Sequence, residues 1–309
     1  MHTPQSGVTP EANTDALFLT LLINKDPASL GRIRQTSAII PEMTTKLAKQ
    51  YPDARLSSTV SFGSDAWDLL YPQSRPESLR PFPEIEDEER LAPATAGDIL
   101  LHIRANRRDV VFQLMRDTLE QFGNSVSVEE EVPGFRYLDS RDLTGFVDGT
   151  ENPTGDSRAS VALVGEEDSE FAAGSYIHTQ RYIHHLHQWN EQPVPEQEKI
   201  IGRTKADDIE FSSEEKAPTA HVKRANIKDA NGKGLEILRH SMPYGNSKEA
   251  GLLFTSYCRT PTHFEQMLGA MMKADEAGHY DHLMNFSTAV TGCAFFAPSV
   301  EFLKRHCPA

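Results

Sequence analysis

The chain has 309 residues, a length that is long for one domain and natural for two. Its hydrophobic content of 38% is typical of a soluble globular protein. The 31 basic and 45 acidic residues give a net charge of -14, and an acidic surface repels nucleic-acid phosphates and anionic lipid. We therefore expect no nucleic-acid partner and no membrane association.

The cysteines and the N-terminus indicate the compartment. Cys258, Cys293 and Cys307 are far apart and form no CxxC motif, so we expect free thiols, which fit a reducing compartment. Residues 1–13 are polar and contain no lysine or arginine, and the apolar run at 16–23 is too short to span a bilayer. These features predict a cytoplasmic protein whose residues 1–13 form a disordered tail.

The first segments of the chain alternate between strand and helix. Residues 16–24 predict a β-strand, and a long amphipathic helix follows over residues 30–47. Pro41 lies inside that helix and is expected to kink or break it. Residues 57–62 predict a second strand, and residues 65–71 predict a short helix.

A strand followed by a helix then occurs twice more. Residues 97–104 have a strand pattern and precede a helix with one apolar face, and residues 251–259 precede a helix of similar length. The glycine-rich phosphate loop that would favour a doubly wound α/β fold is missing from the sequence. The pattern predicts an α+β fold of two related halves, 14–145 and 146–309, each an antiparallel sheet flanked by helices.

The connection between the halves contains the most distinctive stretch, Gly145-Phe-Val-Asp-Gly-Thr-Glu-Asn-Pro153. Gly145 and Gly149 allow backbone conformations that other residues resist, and Asp148 stands between an apolar valine and a flexible glycine. Irregular connections of this kind often carry functional side chains. Two interpretations of Asp148 remain open, an ordinary Asp-Gly turn and a functional carboxylate.

Two later segments each contain one residue of interest. His221 lies in a short, fairly neutral segment, where a single histidine is either a hydrogen-bonded structural residue or a ligand. Arg239 follows two aliphatic residues, and a buried arginine needs a partner because an unpaired buried charge is costly. A structural ion pair is the alternative to a functional arginine at that position.

Together, the three segments resemble the dye-decolorising peroxidases, a haem family whose hallmark is a Gly-x-x-Asp-Gly motif. Gly145-Phe-Val-Asp148-Gly149 matches that motif, His221 falls at the family's proximal histidine, and Arg239 falls at its distal arginine. The spacing of His221 and Arg239 is similar to that of the B-type, YfeX-like branch. The resemblance covers residues 14–300 and implies two ferredoxin-like domains, with one haem b per chain held mainly by the second.

The resemblance also implies roles on the distal side of the haem, where peroxide reacts. Asp148 would act as an acid/base on hydrogen peroxide. Arg239 would stabilise the developing negative charge, because an arginine does not release its proton at ordinary pH. Ser241 occupies the position of the family's small polar distal residue. Asn152 would contact a haem propionate or order the distal loop.

On the proximal side, the resemblance makes His221 the iron ligand through a neutral imidazole. Family members place an acidic residue late in the chain to accept a hydrogen bond from the second ring nitrogen. Asp281 is the candidate, and a surface carboxylate on a helix is the alternative. Arg203 would bind a haem propionate, for which a guanidinium is well shaped; an ordinary surface arginine is the alternative.

The function implied by the resemblance is a haem-dependent peroxidase. It would reduce hydrogen peroxide and oxidise phenolic, dye-like or similar organic donors by one-electron steps through a ferryl intermediate. The alternatives are a haem-handling or iron-releasing protein and a ferredoxin-like binding module without haem. The resemblance also implies a homo-oligomer, a dimer or larger. Because the sequence stops soon after Ala297, we do not expect it to be the cargo of an encapsulin shell.

Overall fold

The computed structural model describes residues 2–308. The β-strands in this part of the chain are β1 (Asp15–Ile23), β2 (Ser57–Gly63), β3 (Ile85–Asp87), β4 (Arg90–Ala92), β5 (Ile99–Ala105), β6 (Val126–Phe135), β7 (Ser175–His184), β8 (Leu238–Arg239), β9 (Met242–Gly245), β10 (Ala250–Cys258), β11 (Ser287–Ala289) and β12 (Cys293–Ala297). The α-helices are α1 (Pro27–Gln50), α2 (Ser64–Leu70), α3 (Arg108–Phe122), α4 (Ser157–Ala162), α5 (Leu186–Glu191), α6 (Val194–Ile201), α7 (His221–Ala225), α8 (Thr262–Met272) and α9 (Val300–Arg305). No helix within the described residues is both long enough and apolar enough to cross a membrane.

Ten strands form one continuous sheet in the order β6-β1-β5-β2-β12-β7-β10-β8, with β9 also paired to β10 and β11 paired to β7. In the first half, the four strands of this sheet are, in chain order, β1, β2, β5 and β6. The last of them, β6, lies beside β1, and β5 lies between β1 and β2. The second half repeats this order as β12-β7-β10, followed by β8 and β9. All these pairings are antiparallel. The predicted α+β fold of duplicated ferredoxin-like domains is confirmed.

The two halves join where β2 pairs with β12. The pairing matches Gly63 with Phe295 and Phe62 with Phe296. At the far ends of the sheet β6 and β9 also approach each other, and a Cβ added to Gly134 would lie 2.8 Å from Cβ of Met242. Because the glycine has no side chain, the two strands can pack closely there.

One hydrophobic core lies under the helices and a second lies between the halves. The first contains Trp67, which is fully buried and contacts the rings of Phe62, Tyr71 and Phe302. The second draws on both halves and includes Phe18, Val132, Ile177, Leu238, Tyr257 and Phe295. Complete burial of a large apolar side chain contributes roughly 1.5–3 kcal/mol. The contact between the halves is therefore part of the core of the protein.

Helix α1 shows how local sequence and packing together set the bounds of an element. Asp26 caps its N-terminus, because Oδ1 accepts the N–H groups of Ala28 and Ser29 at 3.0 Å each. A break at Pro41 is not observed, and the helix runs on to Gln50. Its buried face packs on the sheet, and this packing offsets the hydrogen bond that the proline removes.

Residues 2–13 pack against both halves, so the prediction of a disordered tail is wrong for them; Met1 lies outside the described residues. Gln5 is 2% exposed, and the N–H of Gly7 donates to the carbonyl of Ser58 at 2.9 Å. The physical reason lies at the junction of the halves. The backbone groups there need partners, because a buried unpaired N–H or C=O is costly, and the polar N-terminal segment supplies them.

Replacing Gln5 with alanine is expected to lower the free energy of unfolding by about 1–3 kcal/mol. The Gln5 amide donates to the carbonyls of Val60 at 2.8 Å and Pro298 at 2.9 Å, and accepts the N–H of Val60 at 2.8 Å. Truncation therefore removes the partner of three buried backbone groups. Urea denaturation measures the loss. Gln50→Ala, at an exposed helix end, is the matched control, and an equal loss in both variants would contradict the bridging role of Gln5.

The second half differs from the first in the connection between its first two strands. In the first half this connection is the single helix α1. In the second half it is residues 185–237, which contain only the short helices α5, α6 and α7 and are otherwise irregular. His221 lies in this irregular connection. The connection between the first two strands therefore packs against the sheet in the first half, and carries a candidate site residue in the second half.

Candidate active site

The motif that contains Asp148 forms a tight turn held by backbone contacts. Gly145 and Gly149 have φ angles of +88° and +86°, in the left-handed region that favours glycine. The N–H of Asp148 donates to the carbonyl of Ser140 at 2.9 Å, and Phe146 is buried. The two glycines permit the turn and the phenylalanine anchors it, so that Asp148 lies at the wall of a cleft.

The environment of Asp148 changes its acidity. The side chain is half-buried, and burial raises the pKa of Asp148 above the ordinary 3.8, although the charge of Arg239 acts in the opposite direction. The negative charge of Asp142 adds to the rise. A carboxyl with a raised pKa exchanges its proton closer to neutral pH. This property suits an acid/base and is not expected of a solvated Asp-Gly turn.

Asn152 holds the backbone of Arg239. Its amide oxygen accepts the N–H of Arg239 at 2.8 Å, and its amide nitrogen donates to the carbonyl of the same residue at 2.9 Å. The two hydrogen bonds pair with the free edge of β8 and tie the loop after the motif to that strand. Of the two roles expected of Asn152, this geometry supports ordering of the distal loop.

Arg239 and Ser241 line the same cleft as Asp148. The Ser241 hydroxyl oxygen accepts the N–H of Thr255 at 3.1 Å, which fixes its position. Within residues 2–308 no carboxylate forms an ion pair with Arg239, so the alternative of a structural ion pair is not observed. Its positive charge nevertheless acts on Asp148, which places the two groups within electrostatic reach of each other.

His221 and Asp281 form a close pair. His221 is the first residue of α7, and its Nδ1 lies 2.6 Å from Oδ2 of Asp281. Asp281 is fully buried, and its other oxygen accepts the N–H of Leu283 at 2.9 Å. Asp281 is thus not the surface carboxylate of the alternative interpretation. Because an ionised carboxylate only accepts hydrogen bonds, Nδ1 carries the proton and the lone pair of the neutral ring lies on Nε2.

Charges on both sides of the site act on His221. Burial lowers the pKa of His221, but the charge and the hydrogen bond of Asp281 outweigh it, so the pKa lies above the ordinary 6.5. The charge of Arg239 lowers this pKa and that of Asp148 raises it. The histidine, the arginine and the distal carboxylate are therefore electrostatically coupled, as expected of groups that surround one site.

Three carboxylates surround Arg203. Its Nε donates to Asp208 at 2.7 Å, and its Nη1 donates to Glu210 at 3.1 Å and Glu151 at 3.4 Å. Arg203 is 8% exposed, so it is not an ordinary surface arginine. A haem propionate would bring a further negative charge to this cluster. The geometry supports a structural ion-pair network more directly than a propionate contact.

The cleft has a volume of about 270 Å³. His221 is not among its lining residues, so the cleft lies on the side of Asp148 and Arg239. Sequence reasoning missed several residues that line it, because they are isolated basic or acidic positions on separate strands and loops: Glu11, Arg104, Arg136, Arg141 and Arg158.

A histidine that a buried carboxylate orients, together with an acid and an arginine that line a nearby cleft, are groups that a haem peroxidase requires. Family models agree with this class. The model described as Dyp-type peroxidase, N-terminal, matches residues 5–136, and the model described as Dyp-type peroxidase, C-terminal, matches residues 139–302. The chain belongs to the Dyp-type peroxidase family.

Known proteins agree with the family models. A dye-decolorizing peroxidase of Mycobacterium tuberculosis is 43% identical over 295 residues, which cover 95% of this chain and 88% of that protein. A crystal structure from Shewanella oneidensis described as a Dyp-type peroxidase protein is 49% identical, with a TM-score of 0.96 and 99% of each chain covered.

Two further solved structures bear on cofactor and assembly. A DypB variant of Rhodococcus jostii RHA1 in complex with haem is 37% identical, with a TM-score of 0.93 and 97% of each chain covered. The encapsulated DyP-type peroxidase of Mycobacterium smegmatis is 41% identical, with a TM-score of 0.95, and covers 100% of this chain and 99% of its own. The predictions of a peroxidase and of a haem cofactor are confirmed, and the two alternative functions are not favoured.

Proposed function

We propose that this haem-dependent peroxidase binds the haem iron through Nε2 of His221, and that Asp148 and Arg239 act on hydrogen peroxide at the opposite face. The observation that carries the proposal is the 2.6 Å contact between Nδ1 of His221 and the buried carboxylate of Asp281. It fixes the ring and directs the lone pair of Nε2 away from the carboxylate. A histidine used only for structure needs no such arrangement.

The donor set fits a haem iron. A single imidazole holds the iron in many haem peroxidases, and His221 would hold it here, with a carboxylate on its second nitrogen that makes the ring more electron-rich. Asp281 is held in place by its contact with Leu283, so the orientation of His221 does not depend on the iron. When bound, haem supplies the redox centre at which the O–O bond of peroxide is broken.

Asp148 moves a proton between the two peroxide oxygens. As a carboxylate it removes the proton from one oxygen of hydrogen peroxide and delivers it to the other, which leaves as water. A positioned acid/base of this kind contributes roughly a hundred- to ten-thousand-fold in rate. The raised pKa of Asp148 favours the first half of this cycle, in which the carboxylate takes the proton, because a carboxylate with a higher pKa is a stronger base.

Arg239 contributes charge rather than a proton. Its guanidinium stays protonated, so it stabilises the negative charge that develops as the O–O bond lengthens. Asn152 fixes the backbone of Arg239 by two hydrogen bonds, and Ser241 adds a hydroxyl to the same wall. We assign Asn152 and Ser241 to positioning. Arg203 is assigned to the acidic cluster around it rather than to a haem propionate.

The overall reaction balances without a further reactant. One hydrogen peroxide accepts two electrons and two protons from two donor molecules and gives two waters. Each phenolic donor loses one electron and its phenolic proton and leaves as a radical. We infer that phenols, dyes and similar organic molecules are the donors, because the relatives include proteins named dye-decolorizing peroxidases.

As the pH is lowered, the rate of the reaction with peroxide is expected to fall. The midpoint of this fall should lie above the pKa of an ordinary aspartate. The carboxylate form of Asp148 takes the first proton; it is present above the pKa and is lost as the pH falls through it. Because burial raises that pKa above 3.8, the rate falls below a midpoint that lies above 3.8. Stopped-flow absorbance of the haem-loaded protein with peroxide, measured across pH, gives the midpoint.

Two variants test this assignment. Asp148→Asn is expected to lower the rate of the reaction with peroxide about a hundredfold or more. It should also abolish the fall in rate at low pH, which is called the acid limb of the pH profile. Asp65→Asn, at an exposed position of α2, should keep both the rate and the midpoint. An acid limb that survives unchanged in Asp148→Asn would assign the titration to another group.

We further infer a cytoplasmic homo-oligomer. The described cysteines support a reducing compartment, because Cys258 and Cys293 are buried free thiols and burial raises the pKa of each to about 11, so neither reacts readily as a thiolate. The Mycobacterium smegmatis relative is described as encapsulated, and we do not extend that property to this chain. Native mass spectrometry gives the number of subunits.

A further inference from the structure

The cleft on the distal side carries positive charge in a chain whose net charge is -14. Two carboxylates line it, Glu11 and Asp148, against five arginines: Arg104, Arg136, Arg141, Arg158 and Arg239. His240 also lines the cleft and stays neutral, because burial and the charge of Arg104 hold its pKa well below 6.5. The lining therefore has an excess of cationic groups at neutral pH.

Arg104 is the most informative of these arginines. It is 2% exposed, and its Nη1 lies 2.8 Å from Nδ1 of His240. Its Nε is buried without a hydrogen-bond partner, and within residues 2–308 it forms no ion pair. Burial lowers the pKa of Arg104 to about 10, so the guanidinium remains charged at neutral pH. A buried charge without a counter-ion is costly and indicates a missing anionic partner.

The other arginines of the lining have few carboxylate partners. Arg158 is 6% exposed and donates to the carbonyls of Thr9 at 3.1 Å and Pro153 at 3.2 Å. Its nearest carboxylate is the exposed Glu11, at 3.7 Å. Arg141 donates only to backbone carbonyls, and the exposed Arg136 forms no ion pair in the described residues. Apart from the contact of Arg158 with Glu11, these arginines have no carboxylate partner within the described residues, so their charges can attract an anion.

We propose that this cleft binds a small aromatic carboxylate. The carboxylate group is held by the arginines, for which a planar guanidinium is well shaped. The ring lies against the less polar part of the lining, which includes Tyr137, Met242 and Pro243. A volume of about 270 Å³ admits a molecule of one ring. The binding proposal does not depend on peroxidase activity. The further step, in which the bound molecule serves as an electron donor, rests on the proposed function.

Calorimetric titration of the haem-loaded protein with benzoate tests the binding, with benzamide as the uncharged counterpart. We expect benzoate to bind and to weaken as salt rises, and benzamide to bind at least about tenfold more weakly, as for a lost charge-assisted contact. Equal binding of the two, or no binding of benzoate, would overturn the proposal. Binding only when haem is removed would also overturn it, because the site would then serve the carboxylates of the cofactor.

Variants locate the site. Arg136→Ala removes an exposed charge and is expected to weaken benzoate binding about threefold, and Arg104→Met removes a buried one and is expected to weaken it about tenfold or more. Arg108→Ala, an exposed arginine of α3 outside the cleft, is the matched control and should bind as the wild type does. If Arg104→Met does not fold, Arg136→Ala decides alone; unchanged binding in that variant contradicts the assignment.

A donor pair separates this inference from the proposed function. 4-Hydroxybenzoate and its methyl ester carry the same phenol and differ in one negative charge. We expect the acid to have the lower KM in the wild type and to lose that advantage in Arg136→Ala. If the protein reacts with peroxide but does not distinguish acid from ester, the anion site is wrong and the peroxidase stands. If benzoate binds but the protein does not react with peroxide, the anion site stands and the proposed function is wrong.

Discussion

Replacing His221 with alanine is expected to abolish ligation of the haem iron by the protein. Among residues 2–308, the side-chain hydrogen-bond partner of His221 is Asp281, at 2.6 Å, and that carboxylate is fully buried. The variant therefore loses the one imidazole that this carboxylate orients. The Soret band of the purified, haem-reconstituted protein and its haem content per chain measure the loss, and the far-ultraviolet circular dichroism checks the fold.

The matched control is His187→Ala. His187 lies in α5, within the same irregular connection as His221, but its side chain is 90% exposed. It should keep both the haem content and the position of the Soret band. A His221→Ala protein with the same haem content and spectrum as the wild type would refute the assignment of the proximal ligand.

Arg239→Leu is expected to keep haem and to slow the reaction with peroxide by about a hundred- to a thousandfold, the usual cost of removing one group that stabilises charge in a transition state. Leucine keeps much of the volume but removes the positive charge. The backbone of residue 239 is held by Asn152, so the position of β8 should be unaffected. Single-turnover stopped-flow measurements with peroxide give the rate, and the spectrum before mixing shows whether haem is bound.

Arg239→Lys separates charge from shape. A lysine keeps the positive charge without the planar guanidinium, so it should recover part of the rate that leucine loses. The exposed Arg108→Leu is the control for loss of an arginine elsewhere on the chain. A wild-type rate in Arg239→Leu would remove this residue from the mechanism, and comparison with Asp148→Asn then shows which of the two distal groups contributes more.

The sequence was a good guide to the fold because the evidence for each element is local. Period-two and helical spacing mark β1, β2, β5 and β10 and the helices that follow them, and the repeated strand–helix order predicts a duplication that the sheet order repeats. Pro41 was harder to interpret. Its effect on α1 depends on packing against the sheet, which involves residues far away in the chain and leaves no local trace.

The candidate site was predictable to a different degree at each residue. Asp148, His221 and Arg239 lie in segments that resemble the family's motifs in order and spacing, and the same resemblance implies an acidic acceptor late in the chain, for which Asp281 was the candidate. The role of Asn152 depends on the edge of β8, 87 positions away, and no pattern in the sequence shows it. The same holds for Arg104, whose partner His240 is 136 positions away.

The prediction of a disordered N-terminal tail was wrong for the same reason. A short polar segment without apolar periodicity is typical of a solvated tail, and composition alone cannot show that its amides meet buried backbone groups. Gln5 contacts Val60 and Pro298, which come from opposite halves of the protein. The N-terminal segment is polar because its side chains form hydrogen bonds with buried backbone groups, and not because it is exposed to water.

The junction of the halves also constrains the order in which the protein can be made. The edge of β2 that pairs with β12 leaves the ribosome well before its partner, because β12 and Pro298 belong to the second half of the protein. Until then the first half carries an open strand edge, which is prone to pair with other chains. The nascent chain therefore depends on protection of that edge, and rapid synthesis of the second half favours correct folding over aggregation.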